Sequence, residues 1–146
     1  MGLKIFKAIW FLSVLVVLAD LILTYAGLPE LVIVQDSESG RIAISRDTFF
    51  YCMTGIIALV NVMVYIVSKA YKANLDLRAW FHGLVIALNF FFIISMNFVG
   101  LFNSSEHYDY KSIKFIIYGS VGLFVLWTIG WPVYLVFRKY LVKESI

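Results

Sequence analysis

The chain has 146 residues, of which 62% are hydrophobic and 14% charged. Soluble domains are about half apolar and about a quarter charged. A water-soluble fold of this length has no interior large enough for so much apolar surface, so part of its solvent must be lipid. The formal charge of +3 comes from basic residues scattered at segment ends rather than gathered in a patch, which excludes a nucleic-acid binder. Cys52 is the only cysteine, so an internal disulfide and a cysteine-based metal cluster are excluded as well.

A spanning helix needs about 20 mostly apolar residues, and the first such stretch is 5–26. Lys4 before it and Lys7 in its first turn make a basic start, as in a secretory signal. The apolar run is longer than a signal core, and no small-residue cleavage site follows, so the stretch reads as a retained helix. It carries the only acidic residue inside any span, Asp20.

The segment 27–47 follows. Leu31-Val32-Ile33-Val34-Gln35 and Arg41-Ile42-Ala43-Ile44-Ser45 are rich in β-branched residues, and the cluster between them ends in Gly40. Such runs on either side of a short glycine-containing link predict a β-hairpin. Its exposed polar residues, Glu30, Gln35, Asp36, Glu38, Arg41 and Arg46, are candidates for contact with a partner.

Spans two and three are expected at 48–68 and 81–102, joined by a short link over 69–79. The connection 103–114 mixes both charge signs with aromatics. Asn103-Ser104-Ser105 fits a glycosylation acceptor, and His107 between Glu106 and Asp109 reads as a solvated turn rather than a metal site. Span four is expected at 115–137. Its Gly119, Ser120, Gly122 and Gly130 predict close packing within the bundle or against another subunit, and its large residues, Trp127 among them, are expected to face lipid. Pro132 removes one helical hydrogen bond near its end.

Lys and Arg in short loops set orientation. Lys4, Lys7, Lys69, Lys72, Arg78, Arg138, Lys139 and Lys143 lie on one side, against Arg41, Arg46, Lys111 and Lys114 on the other. Both termini and the 69–79 link are therefore expected in the cytoplasm, and the hairpin outside. Trp10, Tyr25, Tyr51, Tyr71, Trp80, Tyr118 and Trp131 fall near the expected interfaces, where amphipathic rings prefer to sit.

Polar side chains in hydrocarbon turn toward the bundle interior. Asp20 lies six residues and Asn97 five residues from the outer ends of their spans. Asn61 lies seven residues and Asn89 eight from the inner ends of theirs. At ~1.5 Å per residue, two layers are expected to meet: Asp20 with Asn97, and Asn61 with Asn89. They read first as interhelical hydrogen bonding, and secondly as an ion or proton path through Asp20. His82 is expected at an interface and His107 in a loop, so neither stands inside a span as a haem ligand. No catalytic set, metal site or cofactor is expected.

Leu28-Pro29-Glu30-Leu31-Val32-Ile33-Val34-Gln35, then Gly40, then Ser45-Arg46-Asp47, resembles the small bacterial membrane domain of SdpI-type toxin-immunity proteins. The likeness runs from Asp20 to Leu59. Ile33, Gln35 and Arg46 stand where that family commonly has proline, histidine and lysine, and no binding residue carries over. The resemblance implies a bacterial cytoplasmic membrane and a sensing or immunity role for the outer loop.

The expectation is a four-helix transmembrane bundle with both termini inside and an outer hairpin between the first two spans. It is expected to be a non-enzymatic accessory, immunity or sensor protein contacting a protein partner or a second copy. A small transporter or channel subunit is the alternative. A lipid-modifying enzyme using His82, His107 or Asp20 lacks a partner group at workable spacing.

Overall fold

The structure, a computed structural model, describes residues 2–37, 40–104 and 110–143. Its elements run α1 (Gly2–Gly27), β1 (Leu31–Ser37), β2 (Gly40–Ser45), α2 (Arg46–Ala70), α3 (Leu75–Phe102) and α4 (Tyr110–Lys143). Four stretches of 24 to 28 helical residues are long and apolar enough to cross a membrane.

The helices run past the apolar stretches because polar residues cap them. Asn74 accepts from the backbone N–H of Leu77 at 2.9 Å, and Asp76 sits in the first turn, where a negative charge meets the helix dipole. α3 therefore begins six residues earlier than the apolar pattern predicts, and the link before it contracts to 71–74. Ser45 caps α2 in the same way, accepting from Thr48 N at 3.1 Å. β2 ends at that cap, so the hairpin passes into α2 without a linker.

The hairpin forms where the β-branched runs predict it. Leu31 pairs with Ser45, Val32 with Ile44 and Ile33 with Ala43. The register then shifts so that Gln35 faces Ile42. Val34 is the extra residue of this bulge. Gly40 has φ of 140°, a conformation that L side chains rarely adopt, which accounts for glycine at the start of β2.

α3 is the hub, touching α1, α2 and α4, with its most extensive packing against α1. One apolar core joins Val17 and Leu21 of α1, Leu28, Val32 of β1, Phe49 and Ile57 of α2, and Phe92 and Met96 of α3. It lies in the half of the bundle nearest the hairpin, and Val32 is fully buried in it. The hairpin is thus a part of the core. Outside the core the surface is dense in apolar side chains, as suits a chain whose solvent is hydrocarbon.

Of the two places expected for the tight packing of α4, the bundle itself does not supply it among the described residues. Its backbone approaches α3 alone, with one ring contact from α1, Phe6 on Trp127 at 5.9 Å. A Cβ added at Gly119, Gly122 or Gly130 would meet nothing within 4 Å, so these glycines mediate no close approach within the chain. The close approach is on α3 instead, where a Cβ at Gly83 would overlap the Trp127 ring. Trp127 therefore packs inward. Its indole donates to the Trp80 carbonyl, and the Trp80 indole donates to the Trp127 carbonyl, both at 3.0 Å. Nearer the chain ends, Asp76 accepts from Tyr134 and from Arg138.

Gly83→Val should push Trp127 off α3. Overpacking of this kind costs about 1–3 kcal/mol. The expected result is a lower thermal midpoint in detergent and a shift in tryptophan emission. An unchanged midpoint and spectrum would show that the ring does not rest on Gly83.

Candidate functional site

Three polar constellations stand along the bundle. The first lies at its middle: Asn89 is fourteen residues from the start of α3 and thirteen from its end. Asn61 Nδ2 donates to Asn89 Oδ1 at 2.9 Å, and Asn89 Nδ2 donates to Asn61 Oδ1 at 3.2 Å. This reciprocal amide pair joins α2 to α3. The second Asn61 hydrogen goes to Ile57 O at 2.9 Å, and the second Asn89 hydrogen to Ser13 Oγ at 2.9 Å. Trp10 Nε1 donates to Asn61 Oδ1 at 2.9 Å, and Ser13 Oγ donates to Trp10 O at 2.8 Å. All four amide hydrogens are used within the network, and Asn89 is fully buried. A group satisfied this completely holds three helices together and has no donor left for a ligand.

Two members of this network escape sequence reading. Trp10 has the position and character of an interface residue, but its indole turns inward to Asn61. Ser13 is a small polar residue of a kind common in helices. The spacing of Trp10 and Ser13, one turn apart on α1, is the only signal that they act together. His82, expected at an interface, is packed among the helices. It is 2% exposed, with Nδ1 2.6 Å from Arg78 O and its ring edge-on to Trp10 at 5.8 Å.

The second constellation pairs Asp20 with Asn97. Asn97 Nδ2 donates to Asp20 Oδ1 at 2.8 Å and to Ile93 O at 2.9 Å. Asp20 Oδ2 is buried and has no partner. The pair lines a cleft of ≈ 310 Å³ between α1 and α3. Val17 and Met96, both fully buried, fill the bundle between this pair and the amide network.

The third constellation holds the hairpin. Asn103, at the end of α3, accepts from Ile33 N at 2.7 Å and donates to Ile33 O at 3.0 Å and Val99 O at 2.9 Å. It pairs with β1 next to the bulge as a short strand would. Both Asn103 amide hydrogens are in use, so this side chain is a clamp and poorly placed as a glycosylation acceptor. At the hairpin base, Arg46 N donates to Glu30 O at 2.9 Å, and Arg46 Nη1 to Leu28 O at 3.2 Å. The Arg46 guanidinium lies 4.8 Å from the centre of the Tyr25 ring, and Tyr25 donates to Asp47 at 2.8 Å.

The candidate partner-binding residues thus divide. Arg46 is half-buried and turned into the chain's own turn. Glu30, Gln35 and Arg41 are exposed. The Asp36 backbone pairs with Arg41. Glu38 and the group Glu106, His107 and Asp109 lie outside the described residues. Among the described residues, no three His, Cys, Asp or Glu side chains gather as a metal site.

Asn89→Ala should leave Asn61 and Ser13 with unmet hydrogen bonds, at about 1–3 kcal/mol. Combining Asn61→Leu with Asn89→Leu should cost less than the sum of the two single changes, because each single change orphans the partner amide that the double change removes. Thermal midpoints in detergent supply this double-mutant cycle, and strict additivity would mean the pair does not interact. Asn103→Ala should speed hydrogen exchange at the Ile33 amide without lowering the helix content, and an unaltered exchange rate would remove the clamp.

Compared with protein-family models, with curated proteins and with solved structures, the chain matches none, so its own geometry carries the functional argument.

Proposed function

We propose that this is a non-enzymatic integral membrane protein that works by presenting its hairpin to a protein partner. The hairpin's attachment carries the reading. It is fixed by Val32 in the core, by Asn103 at β1 and by Arg46 at its base, and it passes directly into α2. An isolated hairpin is only marginally stable in water. This one is held in place while Leu31, Val34 and Ile42 remain exposed beside Gln35 and Arg41. A preorganised surface lowers the ordering cost of binding. Lys and Arg placement supports a hairpin outside and termini inside, and the loop's resemblance to immunity proteins supports a bacterial cytoplasmic membrane with an immunity or sensor role.

A second reading is a small transporter or channel subunit. The unpartnered Asp20 oxygen favours it. The mid-bundle network, closed on itself, and the apolar packing beneath Asp20 argue against a relay through the bundle.

Val34→Lys and Ile42→Lys should abolish co-purification of a partner from native membranes in mild detergent and leave the thermal midpoint unchanged. A chain that stays partnerless in every membrane preparation would end the leading reading. Flux in proteoliposomes that disappears with Asp20→Asn would install the second.

A further inference from the structure

The partner reading leaves the Asp20–Asn97 cleft without a task. Both amide hydrogens of Asn97 are committed, so the cleft offers Asp20 Oδ2 no donor from that side chain. Its remaining walls are Leu23, Thr24, Gly27, Gly100 and Leu101. Neither glycine has an atom within 4 Å of where a Cβ would stand, so the cleft is open at the glycines, above the buried Asp20 Oδ2. A ligand that completes this site brings a hydrogen-bond donor to Asp20. At ≈ 310 Å³ the cleft has room for an organic head group.

Position narrows the choice. Asp20 is seven residues below the end of α1, ~10 Å along the helix axis. The 26 residues of α1 span about 39 Å against an apolar thickness of ≈ 30 Å. Asp20 then lies about 5 Å inside the hydrocarbon boundary, and the cleft opens sideways between α1 and α3. Farther along the same seam is an apolar recess of ≈ 250 Å³ lined by Ile9, Ile86, Phe90, Leu123 and Trp127, among others. Ile9 and Asp20 are eleven residues apart, and Phe90 and Asn97 seven, which are close to whole helical turns and place each pair on one face. The seam is therefore polar and acceptor-rich near the hairpin, and apolar deeper in.

We propose that this seam binds an amphiphile with a primary ammonium head, an aminophospholipid of the hairpin-side leaflet, with its N–H groups on Asp20 and an acyl tail along the recess. An anionic head group would be repelled by Asp20. A quaternary ammonium carries the charge but has no N–H to donate.

The full chain in non-ionic detergent, equilibrated with equal amounts of phosphatidylethanolamine, phosphatidylcholine and phosphatidylglycerol of matched acyl chains, gives the test by native mass spectrometry. Phosphatidylethanolamine should be retained at least five-fold over the other two. Asp20→Asn, which keeps the size and can still bond Asn97, should lose that preference. Leu23→Lys, which brings an ammonium to Asp20 from one turn away at an exposed position, should lose it too. Equal retention of the three lipids, or wild-type preference in Asp20→Asn, overturns the proposal. A thermal midpoint raised by ethanolammonium or sodium chloride alone, without any lipid preference, assigns the cleft to a free cation and overturns it as well.

Discussion

The amide pair between Asn61 and Asn89 is the constraint on which the bundle depends. Apolar helices in hydrocarbon have no hydrophobic reason to choose one rotation over another, since lipid tails are as apolar as leucine. A buried amide removes that freedom, because its donors and acceptors must be met inside the protein. Here the two amides meet each other and recruit Ser13 and Trp10, so α1, α2 and α3 are fixed in rotation and in depth at one level. With that level set, Val17, Met96, Phe92 and Ile57 face inward toward the hairpin end, and Val32 finds its place among them.

The bundle is therefore asymmetric along its axis. Its middle is a closed polar network. The hairpin half is an apolar core roofed by two strands, with the Asp20–Asn97 pair at its side. The opposite half holds the tryptophan exchange between α3 and α4. α4 belongs to this last region and takes no part in the common core, which is why its glycines stand free while Gly83 on its neighbour is covered. Each region rests on a reciprocal pair of hydrogen bonds: Asn61 with Asn89, Trp80 with Trp127, and Asn103 with Ile33. Two bonds of opposite direction between the same residues define orientation more sharply than one.

How much of this was legible in the sequence depended on contrast. Asparagine and aspartate are conspicuous in apolar helices, and their depth is countable, so both polar layers could be anticipated. The hairpin was legible from β-branched runs and one glycine. The helix ends were not, because capping by Ser45 and Asn74 extends α2 and α3 beyond the apolar stretches that reveal them. Trp10 and Trp127 were misplaced for a shared reason. Amphipathic rings are at home at an interface, and only the three-dimensional arrangement shows a carbonyl or amide near enough to draw them inward. Asn103 was hidden behind a tripeptide that suggested a different chemistry. The small residues of α4 suggested packing, but composition does not say which of two neighbouring helices supplies the gap.

The clamp at Asn103 bears on the order in which the molecule takes shape. Ile33 precedes its partner by seventy residues. As the chain emerges from its N-terminus, the two strands and α2 exist before the residue that fixes them has been made. The hairpin can pair with itself early but cannot reach its final seat until α3 has been completed down to its last turn. A chain halted before Asn103 would carry both strands without the side chain that clamps them, so the hairpin is not seated until synthesis has passed the third helix.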